Sequence, residues 1–438
     1  MRGGMSDVCR VGLLGCGNVG AAVVRMLGDH AADIERRTGI RLEVAKVAVR
    51  DVSRPRGIEL AEGVLTASGA EVVADPTVDI VAELIGGIEP ARTLILEAFA
   101  GGKPVVTANK ELLASRGGEL FAAAAESGVD LLYEAAVGGG IPLIRPLREH
   151  LAGDRIGRFM GIVNGTTNYI LTRMTEDGSS MEEAVREAQQ LGYAEADPTA
   201  DVGGFDAAAK AAILATIAFG VSVVADDVHR EGIERIGADD VAFAGRLGYV
   251  VKLLAIAEAV NGGVAVRVHP AMIPREHPLA SVRESFNAVF VEGERVGPLM
   301  LYGRGAGGDP TATSVVGDLI ELAQARARGA PAGHASLVRS PEPGTRGVVP
   351  IEELSAQYYM LLRVADQPGV LAAVALVFTH HQVSIKSVWQ EGRGDEAQLV
   401  VITHRAQERA LQACVRDLAL VETVHEVSSV IRVEAEEP

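Results

Sequence analysis

The chain opens with an apolar run, a glycine-rich turn and a helical pattern, VCRVGLLGCGNVGAAVVRML, and few folds accommodate this order. Gly15, Gly17 and Gly20 give the spacing GxGxxG between a predicted strand, residues 8–14, and a predicted helix. In that context the first glycine allows a tight turn, the second lets a pyrophosphate approach the backbone, and the third lets the helix pack on the strand. The alternative is that these glycines serve packing alone.

Further predicted strands alternate with helices as far as PVVTANKELLA. This alternation is typical of a parallel sheet covered by helices on both faces. We therefore predict an α/β chain that begins with a Rossmann-type doubly wound parallel sheet, residues 1–135. Its phosphate-binding turn lies at the positive end of the following helix and comprises Gly15, Cys16, Gly17, Asn18, Val19 and Gly20.

The end of the second predicted strand bears on the choice of cofactor. In proteins that bind NAD this place normally carries an acid that accepts the ribose hydroxyls. Here it reads Val49, Arg50, Asp51. Because arginine suits a 2′-phosphate, the sequence predicts NADP as the preferred cofactor, with Arg50 in contact, and NAD as the alternative. Asp51 either contacts the adenosine ribose or closes a turn.

The composition of the sequence changes near residue 136, where Asn, Thr and Gly occur within apolar stretches such as FMGIVNGTTNYILTRM. We predict a second domain over residues 136–304, an α+β domain for substrate binding and dimerisation, and we expect residues 305–328 to pack back onto the first domain. Residues 329–350 are rich in Pro, Gly and Ser and are predicted to be a linker. Residues 351–438 predict a ferredoxin-like βαββαβ module.

Composition excludes several classes of protein. The net charge of -17 argues against a nucleic-acid partner, which would need a basic face. No apolar run reaches the ~18 to 20 residues of a membrane helix, and the start lacks the order of a signal peptide, so we expect no membrane partner and a cytoplasmic location. The cysteines Cys9, Cys16 and Cys414 show no spacing typical of a zinc site or a disulfide framework.

An acid-rich stretch, LGYAEADPTADVGGFDAAAK, points to chemistry. It places Glu195, Asp197, Asp201 and Asp206 ahead of Lys210, and the almost wholly apolar AAILATIAFG follows. The alternative to a functional site is a helix N-cap at Asp206 with Lys210 as its i,i+4 partner, worth only ~0.3 to 0.5 kcal/mol.

A helix that is apolar all round is buried, and a lysine near its start then needs charged partners or a substrate. A substrate ammonium would explain the carboxylates. A reducible carbonyl would explain Lys210, since a lysine can deliver a proton to oxygen as hydride arrives. The residues therefore predict a dehydrogenase that acts on an amino-acid-like substrate.

The same stretch resembles the signature of homoserine dehydrogenases, down to the spacing of Gly192, Glu195, Asp201, Gly204, Asp206 and Lys210. GGKPVVTANKELLA, YEAAVGGGIPLI, IVNGTTNYIL and GRGAGGDPTA resemble the other blocks of that family, in the same order. The C-terminal DQPGVLAAVALVF is similar to ACT regulatory domains. The resemblance covers essentially the whole chain.

This resemblance implies the reversible NAD(P)H-dependent reduction of L-aspartate 4-semialdehyde to L-homoserine, in threonine and methionine biosynthesis. It implies Lys210 as the proton donor and Lys110 as a second catalytic lysine, although Lys110 alternatively only starts a helix. Substrate contacts would fall on Gly192, Glu195 and Asp206. Further cofactor contacts would fall on Gly86, Thr107, Asn109, Lys110 and Gly307.

The resemblance also implies two sites for other ligands. Backbone carbonyls of Glu134, Val137, Gly139 and Ile141 would bind a monovalent cation, Na+; the alternative is a glycine hinge. Threonine would bind as feedback effector at a turn of the C-terminal module that comprises Asp366, Pro368, Gly369 and Val370. The alternatives are a module that only promotes assembly and a turn that only caps a helix. A homodimer or homotetramer is expected.

Three rival functions stay open at this stage. Aspartate-semialdehyde dehydrogenase handles the same aldehyde but needs a nucleophilic cysteine in the substrate domain, and Cys9, Cys16 and Cys414 all lie elsewhere. An amino-acid dehydrogenase that reduces an imine would require ammonia. A nucleotide- and amino-acid-sensing regulator without catalysis would have no need of both Lys110 and Lys210.

Overall fold

The computed structural model describes residues 7–330, 347–392 and 397–435, so most of the predicted linker 329–350 lies outside the described residues. The chain divides into two compact units. The first comprises Met1–Gly157, Ala209–Asp227 and Asn287–Thr345, and the second comprises Arg158–Ala208, Val228–Phe286 and Arg346–Pro438.

The strands and helices of the described residues follow in chain order. The strands are β1 Asp7–Leu14, β2 Ile40–Ala48, β3 Leu65–Thr66, β4 Ile80–Glu83, β5 Val105–Thr107, β6 Leu131–Leu132, β7 Ile156–Ile162, β8 His229–Arg230, β9 Tyr249–Val260, β10 Gly263–Pro274, β11 Phe286–Gly293, β12 Gly297–Arg304, β13 Ser355–Ala356, β14 Tyr358–Val364, β15 Ile385–Glu391, β16 Ala397–Thr403, β17 Ala406–Gln407 and β18 Val424–Val433. The helices are α1 Asn18–Asp29, α2 Ala31–Thr38, α3 Gly69–Ala74, α4 Ala91–Ala100, α5 Lys110–Ser127, α6 Gly165–Glu176, α7 Met181–Gln190, α8 Thr199–Val202, α9 Phe205–Phe219, α10 Ala238–Arg246, α11 Gly308–Ala327, α12 Val370–His380 and α13 Glu408–Leu418.

The first unit is built on a six-stranded sheet in the order β3-β2-β1-β4-β5-β6. Every neighbouring pair in it is parallel. This order is that of a dinucleotide-binding doubly wound sheet, in which β1 lies beside the point where the winding reverses. The predicted Rossmann-type sheet is confirmed.

The core of this sheet explains why its strands are apolar. Val11 and Leu13 of β1 are fully buried and belong to one cluster with Val23 of α1 and with Val315 and Leu319 of α11. Strands covered on both faces have no solvent side, so their residues do not alternate with polar ones. Helix α11 therefore packs, late in the sequence, against the sheet that the first residues of the chain begin.

The second unit contains a mixed sheet, which runs β7-β9-β10-β18-β14-β16-β15, with β8 beside β10. Most neighbours are antiparallel, but β18 is parallel to β10 through Ala271↔Arg432 and Met272↔Val433. The last strand of the chain is therefore an internal strand of this sheet.

The C-terminal elements follow the order strand, helix, strand, strand, helix, strand in β14, α12, β15, β16, α13 and β18. Their core includes Met360 of β14, Phe378 of α12, and Leu411 and Cys414 of α13, all nearly inaccessible to solvent. A smaller cluster joins Ala265 of β10 to Val349, Ile351 and Leu354. Among the described residues, no helix has the length and apolar character needed to cross a bilayer.

Candidate active site

A cleft of about 970 Å³ lies in the first unit at the carboxyl ends of β1, β2 and β4. This is the edge at which open α/β sheets bind ligands. Six of the predicted cofactor residues line it, namely Gly15, Cys16, Gly17, Asn18, Arg50 and Gly86. Val19 and Gly20 follow in the first turn of α1, whose N-terminus therefore opens toward the cleft.

The three glycines of the turn meet two different requirements. Gly15 has φ +99°, and a Cβ there would lie 2.7 Å from the carbonyl oxygen of Leu84. A Cβ on Gly20 would lie 2.5 Å from the carbonyl oxygen of Gly15, whereas one on Gly17 would meet no atom within 4 Å. Packing therefore requires the outer two glycines, and the middle one leaves the backbone open to the cleft, as a pyrophosphate requires.

Cys16, inside this turn, is buried, and burial raises the pKa of its thiol. A thiol of raised pKa has little thiolate at neutral pH and is a poor nucleophile. Cys16 is therefore a small packing residue of the turn.

The Arg50 end of the cleft is positively charged. Arg25, Arg50, Arg54 and Arg56 all line it, and the Arg56 guanidinium is held by the carbonyl oxygens of Arg54 and Asp51. The Asp51 carboxylate accepts from the Ser53 hydroxyl at 2.6 Å and the Ser53 N–H at 2.9 Å, and these bonds lower the pKa of Asp51. Asp51 thus closes a turn, and the arginines present a surface suited to phosphate.

A buried glutamate that the sequence analysis missed holds the turn after β4, where Ile85 and Gly86 line the cleft. Glu83, the last residue of β4, is inaccessible to solvent. Its carboxylate accepts from the backbone N–H groups of Ile85 (2.7 Å) and Gly86 (3.2 Å) and from the Thr107 hydroxyl (2.6 Å). An acid that closes an apolar strand, as in VDIVAELIGG, was the available signal.

Asn109 continues this arrangement. Its side chain caps α5 by accepting from the Leu112 N–H at 3.1 Å, and its amide donates to the Gly87 carbonyl at 2.6 Å. The Asn109 N–H also donates to the Thr107 hydroxyl oxygen at 3.0 Å, so Gly86, Thr107 and Asn109 form one hydrogen-bonded group around Glu83 at the carboxyl ends of β4 and β5. Gly307, with φ +121°, precedes α11, whose first residue Gly308 approaches the Asn18 carbonyl and lines the cleft.

The two predicted catalytic lysines lie in different surroundings of the first unit. Lys110 is exposed and is the first residue of α5. Lys210, in α9, is only 8% exposed, and Ala211, Ala212 and Leu214 beyond it are almost completely buried. The prediction of a buried apolar helix is confirmed as far as Ala215, and residues 216–220 are half-buried.

In the second unit a single side chain donates hydrogen bonds to two of the predicted acids. The Asn164 amide nitrogen donates to Asp201 Oδ1 at 2.7 Å and to Asp206 Oδ2 at 2.9 Å. Glu195 and Gly192 lie in an exposed loop of the same unit, where Gly192 has φ +77°. The alternative of an N-cap at Asp206 is wrong, because α9 begins at Phe205 and Asp206 lies within its first turn.

The predicted cation loop is tightly packed. The Glu134 carboxylate accepts the N–H groups of Ile144 and Arg145, both at 2.8 Å, so its own side chain is engaged in holding backbone. A Cβ on Gly139, at φ +56°, would lie 2.6 Å from Gly305, and the Gly139 carbonyl accepts from the Ser314 hydroxyl.

A buried acid, Asp318, lies beside this loop and is paired with Arg145 at 3.0 Å. Val137 and Ile141 are buried within it. Asp318 accepts from the Glu134 N–H at 2.8 Å, and burial, helped by the charge of Glu134, raises the pKa of Asp318 to about 8. Among the described residues, no cluster of three or more His, Cys, Asp or Glu side chains is placed to hold a metal ion, so any cation here would depend on backbone carbonyls.

The turn predicted to bind an effector joins β14 to α12. Asp366, Pro368 and Gly369 are exposed and Val370 is buried as the first residue of α12. Gly369 has φ +97° in the N-cap position, which favours glycine there.

Comparisons with known proteins agree with this geometry. Residues 15–134 match the family model "Homoserine dehydrogenase, NAD binding domain", and residues 142–320 match the family model "Homoserine dehydrogenase". A homoserine dehydrogenase of Mycobacterium tuberculosis is 48% identical over 97% of both chains.

Solved structures give the same result. The crystal structure of a homoserine dehydrogenase from Thiobacillus denitrificans superimposes with a TM-score of 0.90 at 40% identity over 98% of both chains. A hyperthermophilic archaeal homoserine dehydrogenase in complex with NADPH superimposes with a TM-score of 0.62 at 28% identity, over 72% of this chain and 97% of that one.

Proposed function

The chain belongs to the homoserine dehydrogenase family of oxidoreductases, and from that premise we propose that it reduces L-aspartate 4-semialdehyde reversibly to L-homoserine, with NADPH preferred over NADH. Its main support is Lys210, a buried lysine on the helix that follows an acid-rich loop. The product would serve threonine and methionine biosynthesis.

Each group has a distinct task in this reaction. The nicotinamide, when bound, supplies a hydride to the aldehyde carbon. Lys210 donates the proton that the aldehyde oxygen then takes up, and Lys110 orients substrate and nicotinamide. Glu195 and Asp206 bind the substrate ammonium, and Gly192 lets its loop approach the substrate. The buried apolar residues that follow Lys210 in α9 limit the access of water to its ammonium group.

The test is the loss of nicotinamide absorbance when the purified protein meets aspartate 4-semialdehyde. Parallel reactions use NADPH and NADH, each in sodium and in potassium buffer. We expect turnover with both nucleotides and a higher kcat/KM with NADPH. A folded protein that binds NADPH but turns over neither nucleotide would exclude this function and favour the sensing or imine-reducing alternatives.

The NADP preference gives a prediction for Arg50. Arg50→Ala should raise the KM for NADPH about 10-fold or more and leave the KM for NADH nearly unchanged, because only NADPH carries the 2′-phosphate that the guanidinium would bind. Initial rates over a range of each nucleotide measure this. Arg41→Ala is the matched control, since Arg41 is exposed near the start of β2, the strand that precedes Arg50, and pairs with Glu43. Equal effects of Arg50→Ala on both nucleotides would contradict the assignment.

A Na+ ion bound by the backbone carbonyls of Glu134, Val137, Gly139 and Ile141 is part of the proposal. Buried Glu134, whose backbone is part of this loop, supports it because its carboxylate places a negative charge beside the carbonyls. The sodium and potassium arms of the turnover assay test whether the ion matters.

We also propose that residues 351–438 are an ACT regulatory module in a homodimer or homotetramer, and that threonine is its effector. The strand and helix order of this segment and the exposed Asp366 turn support the proposal. Allostery requires that threonine bind one of two states more tightly. A deletion after Gly347 is a poor test, because β18 is an internal strand beside β10 and its removal would uncover that buried strand.

A point variant is the sharper test. Asp366→Ala should weaken inhibition by threonine by about 10-fold or more in the inhibitory concentration, while kcat without threonine stays unchanged, because an effector ammonium would lose its carboxylate. Glu422→Ala removes another exposed acid of the same module and should leave inhibition intact. A variant at Asp366 that is inhibited like the parent protein would remove this turn from the effector site.

A further inference from the structure

The Asn164 side chain makes hydrogen bonds through both its oxygen and its nitrogen. It follows β7, is only 4% exposed and is the N-cap residue of α6. Its Oδ1 accepts from the Thr167 N–H at 2.8 Å and from the Thr167 hydroxyl at 3.0 Å. Its Nδ2 donates to Asp201 and Asp206. A primary amide has two N–H donors, and both are used here on carboxylates.

The helix cap fixes which way the amide faces. The Thr167 N–H can bond only to an acceptor, so Oδ1 must point to the start of α6. The NH₂ group then has to point to the two carboxylates. A single buried side chain thereby couples a helix N-terminus to an acid on α8, Asp201, and an acid on α9, Asp206.

Two carboxylates that converge on one point repel each other, so a shared donor between them lowers the cost of their approach. The amide supplies each carboxylate with a donor. Asparagine combines an acceptor for the helix N-terminus with two donors for the acids. Serine or aspartate would cap α6 equally well but could not donate to both acids.

We propose that Asn164 is a positioning residue that holds Asp206 in place for the substrate ammonium before substrate arrives, with Asp201 as the second acceptor that fixes the amide. The inference rests on the proposed function, because it takes Asp206 to act on an amino-acid substrate. Preorganised groups bind without the cost of being ordered at the moment of binding, so Asn164 acts through Asp206 on the affinity for the amino acid.

Asn164→Asp separates positioning from capping. Aspartate is as good an N-cap as asparagine, so the start of α6 is preserved, but the donors to Asp201 and Asp206 are lost and a third carboxylate takes their place. The expected result is a rise of about 10-fold or more in the KM for aspartate 4-semialdehyde, with the KM for NADPH unchanged, because the cofactor cleft is lined by other residues. Asn164→Ser, which also keeps a capping oxygen, should raise the same KM.

Ser180→Ala is the matched control. Ser180 caps the neighbouring helix α7 in the same unit by accepting from the Glu183 N–H at 3.2 Å. Its loss should lower the melting temperature without altering either KM. Positioning by Asn164 is overturned if both Asn164 variants keep the parent KM for the aldehyde, or if their only change is a loss of folded protein that Ser180→Ala reproduces. Absence of turnover by the unaltered protein would instead overturn the proposed function and this inference with it.

Discussion

Lys210→Ala should lower kcat by ~10² or more while the dissociation constant for NADPH stays nearly unchanged. The reason is that the variant loses the proposed proton donor but none of the residues that line the cofactor cleft. Steady-state rates with aspartate 4-semialdehyde and a fluorescence titration with NADPH measure the two quantities on the same preparation.

Lys210→Arg distinguishes a proton donor from a mere positive charge. Arginine keeps the charge but does not give up its proton near neutral pH, so this variant should be nearly as slow as Lys210→Ala. Lys386→Ala, at an exposed strand position, should behave like the parent. An unchanged kcat in Lys210→Ala would remove Lys210 from the mechanism.

Arg432→Met should destabilise the protein by about 3 to 5 kcal/mol, the usual cost of breaking a buried ion pair from one side. Arg432, on β18, is 5% exposed; its Nε lies 2.5 Å from Glu408 Oε1, and its Nη1 lies 2.9 Å from both carboxylate oxygens of Glu231. Glu408 is 1% exposed, so the variant would leave it buried and without its guanidinium partner. Urea unfolding monitored by circular dichroism measures the change.

Two further variants identify the cause of that loss. Arg363→Met, in the neighbouring strand β14, breaks an exposed pair with Glu426 and should cost less than about 1 kcal/mol. Adding Glu408→Gln to Arg432→Met should recover part of the stability, because the unpaired negative charge of buried Glu408 is then removed. If Arg432→Met lowers the free energy of unfolding no more than Arg363→Met does, the buried pair contributes no more to stability than the exposed one.

The parallel sheet could be predicted because its signal is local. A GxGxxG turn between a strand and a helix is typical of a dinucleotide-binding sheet. The need for glycine at Gly15 and Gly20 follows from contacts within a few residues or with the segment that follows the adjacent strand. The burial of α9 from Lys210 to Ala215 was predictable for the same reason, since a helix that is apolar on all sides is stable only when it is buried.

Long-range partners were not predictable from the sequence. The acid-rich loop was evident, but Asn164, some forty residues earlier, looked like one more polar residue in IVNGTTNYIL. Glu83 and Thr107 similarly meet only because β4 and β5 are adjacent in the sheet. Hydrogen bonds between distant segments depend on the fold, and a single sequence carries no record of which polar residues it brings together.

The most direct test of the proposed reaction follows a label from cofactor to product. The protein is supplied with aspartate 4-semialdehyde and NADPH that carries deuterium at both C4 positions of the nicotinamide, and the amino-acid product is examined by mass spectrometry. The proposed reaction gives homoserine with one deuterium on the former aldehyde carbon. Oxidation of NADPH without labelled homoserine, or no oxidation by folded protein that binds NADPH, would contradict it.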